Sequence, residues 1–298
     1  MSENTKSAVI TICGRPNVGK STITNALVGE KIAIVSSKPQ TTRNRICGIV
    51  NRGDTQLVLI DTPGLHKAKS RLDDYMVKVV KESMSDVDCI MMLVEPIANV
   101  GIPEMELIGR IRQNGAPAVL VINKMDKVKR EELLAVMAAY SAAFEFSDIV
   151  PVSAMRGDNM DELLKTMEKY AKPGPHLFPE DMTTDQPDKQ VVGEMVREKI
   201  LYCLQREVPH GVAVEVTKFS ERDSGIIDAS VTIYCEKMSH KGIIIGKDGA
   251  MLKKISTLAR QDMEKFMGTK VYLETWVKVR ENWRDNANYV KDFGYIDK

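Results

Sequence analysis

Eight residues near the start of the chain combine glycines, a lysine and a serine at a spacing that suits phosphate binding. Residues 14–21 read GRPNVGKS and match the pattern GxxxxGK[ST]. The glycines let backbone N–H groups face a phosphate chain, and Lys20 can reach the β- and γ-phosphates. The hydroxyl of Ser21 is placed to bind Mg²⁺. The sequence therefore predicts a magnesium-dependent site for a nucleoside triphosphate.

The tetrapeptide NKMD, residues 123–126, predicts which base this site selects. Asp126 can accept hydrogen bonds from guanine N1–H and from its 2-amino group. Adenine offers neither donor, so the carboxylate would be left unpaired, which discriminates strongly. Ser153 and Ala154 follow a later apolar stretch, and we expect the Ala154 N–H near guanine O6. The sequence therefore favours a guanine nucleotide.

Two further segments are expected to complete the metal and γ-phosphate contacts. In DTPG, Asp61 is expected to hold Mg²⁺ through water, and the Gly64 N–H can approach the γ-phosphate. In KPQTTR, residues 38–43, a threonine can bind Mg²⁺ and sense the γ-phosphate. Thr41 and Thr42 are both candidates, and we favour Thr42. The predicted metal ligands are Ser21, Thr42 and Asp61.

A second glycine turn, GKDG at 246–249, has different chemistry. It lacks the length of a triphosphate loop and no serine or threonine follows it. It fits the GxxG pattern, in which two glycines bring backbone N–H groups against a nucleic-acid backbone beside an apolar groove for unstacked bases. The residues expected to contact RNA are Gly246, Lys247, Asp248, Gly249, Lys241, Lys253, Lys254 and Arg280.

The elements that must position these residues alternate along the first 170 residues. Short apolar stretches predict strands at 7–13, 45–51, 56–60, 89–94, 118–122 and 149–152. Helical patterns fall near 20–28, 71–83, 103–114, 130–143 and 160–170. This alternation predicts an α/β fold, a mostly parallel sheet with helices on both faces. The proposed ligand residues then lie at the carboxyl edge of the sheet.

The pattern changes after residue 172. Residues 172–189 carry four prolines and no periodicity, which predicts an extended linker. Beyond it, the order helix, strand, strand, glycine turn, helix, strand predicts a small α+β domain. In the tail, Trp283 and Tyr289 lie beside basic residues. They either stack on RNA or cap the core of this domain.

Composition narrows the class of protein. The chain has 298 residues, 43% of them apolar, and a net charge of +1, so any nucleic-acid surface must be local. Five dispersed cysteines without a CxxC pair argue against a disulfide framework or a zinc site and suit a reducing cytosol. No apolar stretch approaches the length of a spanning helix, and the N-terminus does not resemble a signal peptide.

GRPNVGKS, TTR, DTPG, NKMD and SA, in this order, resemble a translation-associated GTPase domain. That resemblance implies GTP and GDP as ligands with Mg²⁺, and slow hydrolysis. Leu65 follows Gly64 where Ras-type GTPases have a water-orienting glutamine, so a backbone group or His66 must position the water. In relatives whose phosphate loop has an asparagine where this chain has Asn17, that side chain helps to bind K⁺. We therefore hypothesise that K⁺ accelerates hydrolysis and that Asn17 is a ligand.

The resemblance assigns site residues by their place in these patterns. The expected nucleotide-binding residues are Gly14, Asn17, Val18, Gly19, Lys20, Ser21, Thr22, Asp61, Gly64, Asn123, Lys124, Asp126, Ser153 and Ala154. The expected catalytic residues are Lys20, Thr42, Gly64 and Asn17.

GKDG lies in a second domain that resembles a type II KH domain, and this resemblance implies a short helical turn at 243–245. The whole chain then resembles the Era family of bacterial GTPases. We expect a GTPase domain over 1–172, a linker over 173–189 and a KH domain with its tail over 190–298. The resemblance implies that the RNA is the 3′ end of small-subunit ribosomal RNA and that the role is maturation of the small ribosomal subunit. It further implies loose association with the inner face of the plasma membrane. The residues themselves suit a cytoplasmic protein, and nothing in them demands more than a monomer.

Two other classes of protein remain open from the residues alone. One is an RNA-binding protein in which the nucleotide site is structural and does not turn over. The other is a P-loop ATPase or kinase. Turnover that depends on Lys20 argues against the first, and base selection that depends on Asp126 argues against the second.

Overall fold

A mostly parallel sheet forms the first part of the chain in the computed structural model, which describes residues 5–64 and 68–295. Its strands are β1 (Lys6–Gly14), β2 (Ile46–Arg52), β3 (Thr55–Asp61), β4 (Cys89–Val94), β5 (Ala118–Ile122), β6 (Asp148–Pro151) and β7 (Lys172–Pro173). Its helices are α1 (Lys20–Val28), α2 (Arg71–Glu82), α3 (Ile102–Asn114), α4 (Arg130–Ala143) and α5 (Met160–Glu168). The predicted α/β fold is confirmed, and the boundaries of the predicted elements differ from expectation by at most two residues.

The sheet has the strand order β2-β3-β1-β4-β5-β6. Among the described strands of this sheet, β2 and the short β7 run antiparallel to their neighbours, β3 and β1, and the others are parallel. One apolar core joins β1 to Ile23 of α1 and Leu163 of α5. A second core, on the other face, joins β4 to α2, α3 and α4. Strands buried on both faces explain the unbroken apolar runs in the sequence.

The proline-rich stretch after α5 is largely extended, but it is held along β2 and β3, and a helix already begins at Asp188, inside the predicted linker. The side-chain oxygen of Gln56 accepts hydrogen bonds from the amides of Leu177 and Phe178 at 2.8 and 2.9 Å. Phe178 packs against a small apolar cluster on the same strands. Further on, the Ile49 N–H donates to the carbonyl of Thr183 at 2.9 Å. We call residues 172–185 the strap.

The second part begins with α6 (Asp188–Cys203) and continues through β8 (Val212–Glu221), β9 (Ile227–Cys235), α7 (Met238–Ile245), α8 (Ala250–Met267), β10 (Val271–Val279) and α9 (Ala287–Asp292). Its sheet has the order β10-β9-β8, with β10 parallel and β8 antiparallel to β9. The predicted α+β order is confirmed. Residues 243–245 are helical, as expected, although they end a longer helix.

By internal contacts the chain divides into two units. The first comprises Met1–Ala33, Thr42–Lys67 and Met76–Asp185, and the second comprises Ile34–Thr41, Ala68–Tyr75 and Gln186–Lys298. The second unit therefore takes in two segments from the first half of the sequence. Within the described residues, no helix combines the length and apolar character needed to cross a membrane.

Candidate functional site

The loop between β1 and α1 is closed by Lys20. Its side chain is 6% exposed, and Nζ donates to the carbonyl oxygens of Gly14 and Arg15 at 3.1 and 2.9 Å. Burial lowers the pKa of Lys20, and the nearby Asp61 carboxylate offsets part of that effect. In the same loop Val18 is buried, and Thr22 lies half-buried on the first turn of α1. Two carbonyl oxygens thus hold the Lys20 ammonium beside the loop. Phosphate oxygens can replace these carbonyls as acceptors when a nucleotide binds.

Three oxygen-bearing side chains converge beside this lysine. Ser21 Oγ lies 2.8 Å from Thr42 Oγ1 and donates to Asp61 Oδ2 at 2.7 Å. Asp61 Oδ1 is buried and has no hydrogen-bond partner among the described residues. Burial raises the pKa of Asp61 to about 6, although Lys20 opposes the shift. A buried carboxylate oxygen without a donor, beside two hydroxyls, fits the hard-oxygen ligand set that Mg²⁺ requires.

The two threonine candidates point in different directions. Thr42 is 7% exposed and faces Ser21. The hydroxyl of Thr41 instead donates to the carbonyl of Lys38 at 2.6 Å. The geometry therefore brings Thr42, and not Thr41, to the expected metal ligands.

Gly64 lies directly against the phosphate loop. A Cβ atom added at Gly64 would lie 2.8 Å from the backbone nitrogen of Pro16, so a side chain at this position would displace backbone. The close approach puts the end of DTPG beside GRPNVGKS, as a γ-phosphate contact requires. Leu65 and His66 lie outside the described residues.

The expected base-binding residues are joined to the phosphate loop by two side chains. Asn123 is 3% exposed, and its Nδ2 donates to the carbonyl of Val18 at 2.8 Å. Lys124 Nζ donates to the carbonyl of Asn17 at 2.7 Å and pairs with Glu95. The NKMD turn and the phosphate loop therefore form one connected structure.

Asp126 and the SAM segment lie together at the carboxyl ends of β5 and β6. Ser153 Oγ donates to Asp126 Oδ1 at 2.6 Å, and this hydrogen bond lowers the pKa of Asp126. The Ala154 N–H donates to Asn123 Oδ1 at 3.1 Å. The second carboxylate oxygen of Asp126 lies 3.9 Å from the guanidinium of Arg156. An ionised carboxylate held by a serine in this way is suited to accept from guanine N1–H and the 2-amino group.

The GKDG turn joins α7 to α8. Gly246 has φ of +74° and a Cβ there would lie 2.7 Å from Met251 Cβ, so only glycine fits. Lys247 and Asp248 are exposed at the turn, and Asp248 also has a left-handed backbone. Helix α8 starts immediately after Gly249, and the Ala250 N–H donates to the Lys247 carbonyl. Other N–H groups of this first turn that lack intrahelical acceptors can donate to phosphate oxygens.

The predicted basic residues lie around this turn with different exposures. Lys253 and Lys254 are exposed on the first turns of α8, and Lys241 is half-buried on α7. Arg280 is exposed beyond β10, with its guanidinium 5.4 Å from the centre of the Tyr289 ring and 5.9 Å from that of Tyr234. Arg280 is therefore stacked on protein aromatics.

Trp283 belongs to the core. Its side chain is fully buried, and Nε1 donates to the carbonyl of Gly211 at 3.0 Å. It also meets Phe293 edge to face, with ring centres 5.3 Å apart. Of the two alternatives, capping the core is confirmed for Trp283 and stacking on RNA is wrong, because a buried indole offers no face to a base.

Sequence reasoning missed several polar contacts that the structure shows, one of them at the predicted site. Glu95, just after β4, orients Lys124. Gln40 Nε2 donates to Asp73 Oδ1 at 2.7 Å, and Asp73 also accepts from the Lys69 N–H at 2.9 Å. No local pattern marks the Glu95–Lys124 and Gln40–Asp73 pairs, because the partners are distant in the chain.

The phosphate loop, the oxygen ligands Ser21, Thr42 and Asp61, and the expected guanine-binding residues lie together at the edge of a mostly parallel sheet. The GxxG turn lies in an α+β unit in which β10 is parallel to β9. Together these define a P-loop GTPase that carries a type II KH domain. A family model described as a 50S ribosome-binding GTPase matches residues 9–124, and a KH domain model matches residues 207–284.

Curated relatives match over nearly the whole chain. GTPase Era of Ruminiclostridium cellulolyticum is 50% identical over 290 residues, 97% of both chains. GTPase Era of Clostridioides difficile is 47% identical over 295 residues, 98% of this chain and 99% of its own. The chain therefore belongs to the Era family of GTPases.

Two solved structures of Era match at a TM-score of 0.94 and 38% identity, covering 98% of this chain and all of theirs. One is Era in complex with MgGDPNP and nucleotides 1506–1542 of 16S ribosomal RNA. The other is a variant of Aquifex aeolicus Era bound to GDP·AlF4⁻.

Proposed function

We propose that this chain binds GTP with Mg²⁺, hydrolyses it slowly, and binds the 3′ end of small-subunit ribosomal RNA as a switch protein in maturation of the small ribosomal subunit. The observation that carries the nucleotide part is the convergence of Ser21 and Thr42 on Asp61, whose Oδ1 has no donor among the described residues. The RNA part is supported by the GKDG turn and by the RNA in the solved relative.

In this proposal each element of the site has a separate task. The loop amides and Lys20 neutralise the charge of the β- and γ-phosphates, and preorganised donors of this kind contribute most to phosphoryl transfer. Ser21, Thr42 and Asp61 hold Mg²⁺, which screens the charge that develops between the β- and γ-oxygens. Gly64 supplies its N–H to the γ-phosphate. Asp126 selects guanine.

The fixed connection between Lys124 and Asn17 also has a role in this scheme. Because Lys124 Nζ donates to the Asn17 carbonyl, binding of the base and seating of the phosphates occur on one rigid surface. Asn17 itself has φ of +66°, so its side chain projects from a left-handed turn of the loop. We propose that this side chain is a K⁺ ligand.

In the second domain, the amides at the start of α8 and Lys247 hold the RNA backbone, and unstacked bases lie in the adjacent groove. GTP raises the affinity for RNA, and by linkage RNA raises the affinity for GTP by the same factor. This role places the protein in the cytoplasm, and association with the inner face of the plasma membrane stays a prediction.

The test combines turnover with RNA capture. Full-length protein is assayed for phosphate release from GTP and for crosslinking to total cellular RNA, with GDP or a non-hydrolysable GTP analogue. Lys20→Ala is expected to abolish turnover, whereas Lys165→Ala, an exposed lysine of α5 paired with Asp161, should not change it. Crosslinked reads should map to the 3′ end of the small-subunit RNA.

Other outcomes separate the alternatives. Phosphate release that is equal in wild type and Lys20→Ala would contradict the enzymatic part. Crosslinks spread over unrelated RNAs, with no dependence on the nucleotide, would contradict the RNA part. RNA capture without turnover in the wild type would favour a structural nucleotide site.

A further inference from the structure

The second unit contains a segment that ends one residue before the expected metal ligand Thr42. This segment is Ile34–Thr41, which we call the docked segment, and it lies along α6. Val35, Gln40 and Thr41 make polar contacts with α6 through main-chain groups, and Lys38 does so through its side chain. These contacts limit how far the backbone of the docked segment can move along α6, and the chain continues from Thr41 directly into Thr42.

Arg197 of α6 makes the contacts nearest to Thr42. Its side chain is 1% exposed, and the guanidinium donates to the carbonyls of Gln40, at 3.4 Å, and Thr41. Glu194, one turn earlier, fixes the guanidinium through Nε at 2.9 Å and Nη2 at 2.5 Å. An arginine held in this bidentate way has little freedom to follow a moving acceptor.

Two more contacts fix the rest of the docked segment. Glu198 Oε1 accepts a hydrogen bond from the Val35 N–H at 3.0 Å. Lys38 Nζ donates to the carbonyls of Leu201 and Leu204 at the end of α6. A cation at this place satisfies carbonyls that lack intrahelical donors and complements the helix dipole.

The opposite side of α6 packs on α8, the helix that starts at the GKDG turn. Val196 and Ile200 share one buried core with Ile255 and Ala259. A polar connection runs in parallel, because Lys199 pairs with Glu198 at 2.8 Å and with Asp262 of α8 at 2.5 Å. Helix α6 therefore contacts both the docked segment and the helix of the RNA turn.

We propose that Arg197 is a positioning residue that couples the nucleotide to RNA, because it ties the Thr41 carbonyl, adjacent in the chain to Thr42, to α6 and through α6 to α8. If the chain at Thr42 shifts with the nucleotide, the buried guanidinium either loses its acceptors or moves with them. Losing acceptors in a buried site is unfavourable, so the shift is passed to α6. This inference rests on the proposed function.

The test measures RNA affinity in two nucleotide states with full-length protein. The probe is a labelled synthetic RNA with the sequence of the 3′ end of 16S ribosomal RNA, titrated in GDP and in a non-hydrolysable GTP analogue. The ratio of the two dissociation constants in the wild type is expected to lie in the range of about 5 to 150 that is common for coupled sites. Arg197→Gln should bring the ratio within about twofold of 1, because the neutral amide cannot hold both carbonyls.

Matched variants separate a loss of coupling from a loss of folding. Arg206→Gln, an exposed arginine just beyond α6, should retain the wild-type ratio. Arg197→Lys, which keeps the charge but not the fork, should give an intermediate ratio. Lys38→Met removes a tie from the docked segment itself and should also lower the ratio. If Arg197→Gln does not fold, Lys38→Met and Arg197→Lys decide the question.

Hydrogen exchange of the docked segment gives a second readout. Residues 35–41 should exchange faster in Arg197→Gln than in Arg206→Gln, in either nucleotide. A wild-type ratio of 1 would reject the proposed coupling and this inference with it. A ratio well above 1 that persists in Arg197→Gln and Lys38→Met would overturn the inference and leave the proposed function standing.

Discussion

Thr42 Oγ1 lies 2.8 Å from Ser21 Oγ, whereas the neighbouring hydroxyl of Thr41 is bonded to the carbonyl of Lys38. Two adjacent threonines of equal chemistry thus have different environments, because the backbone between them turns one side chain toward Asp61 and the other away. Their roles should separate in solution.

We expect Thr42→Ala to weaken Mg²⁺-dependent binding of a GTP analogue by about 10- to 100-fold, equivalent to losing one bond to a charged group, about 1.5–3 kcal/mol. Thr41→Ala is the matched control and should change this affinity by less than about threefold, since it loses one neutral hydrogen bond. Titration of a fluorescent GTP analogue with and without Mg²⁺ measures both. Equal losses in the two variants would contradict the assignment.

Asp126→Asn should change the base that the site accepts. The carboxylate accepts from guanine N1–H and the 2-amino group, and an amide in its place can donate to the 2-oxygen of xanthine. We expect GTP affinity to fall at least about 100-fold and XTP to become the better ligand, because an unpaired buried donor or acceptor is heavily penalised. Competition binding checks this, with Asp161→Asn on α5 as control. Unchanged preference for GTP would remove Asp126 from the base site.

Turnover should depend on the monovalent cation. If the Asn17 side chain helps to bind K⁺ beside the phosphates, hydrolysis should be about tenfold or more faster in KCl than in NaCl at equal ionic strength, as expected when one positive group is added to a preorganised site. Asn17→Gly is the suitable variant, because glycine tolerates the φ of +66° that alanine would not. It should remove the difference between the salts. Equal wild-type rates in both salts would end the hypothesis.

Lys247 should contribute affinity without sequence selectivity. As an exposed lysine in the GKDG turn it is placed to pair with one RNA phosphate, so Lys247→Ala should lower affinity and reduce the slope of log affinity against log salt by about 0.7. Lys265→Ala, exposed near the far end of α8, is the control. Titrations at several KCl concentrations provide the slope, and an unchanged slope would argue against a phosphate contact.

Trp283→Phe should affect stability and leave RNA affinity unchanged. The substitution removes the donor to the Gly211 carbonyl and leaves a buried acceptor without its partner, which lowers the free energy of unfolding by about 1–3 kcal/mol. Urea denaturation followed by circular dichroism measures the loss. A large fall in RNA affinity with unchanged stability would reverse the assignment of Trp283 to the core.

Local patterns predicted most of the fold. Helix α1 and strands β4 and β5 have the bounds expected from the sequence, because a glycine or a change of periodicity marks each end. Helix α9 was not predicted, since its six residues lack a full apolar period. The short strand β7 was also missed, because its pairing with β1 is decided by tertiary contact.

The parts of the candidate site that consist of consecutive residues could be predicted from the sequence. The parts that residues from distant segments form together could not. GRPNVGKS and NKMD are contiguous and identify their own chemistry. The choice between Thr41 and Thr42 needed the structure, because it depends on a turn of the backbone. Arg197 and Glu198 are charged residues in a helix without a distinctive pattern, and only their burial in the structure distinguishes them.

The strap determines where the chain can be cut to give a stable amino-terminal fragment. A fragment that stopped at residue 172 would leave the amide of Gln56 without the Leu177 and Phe178 donors, and would uncover the apolar cluster that Phe178 seals. Such a fragment would expose the apolar surface of β2 and β3, and we expect it to self-associate. An amino-terminal fragment that is to remain monomeric must therefore extend to at least Asp185.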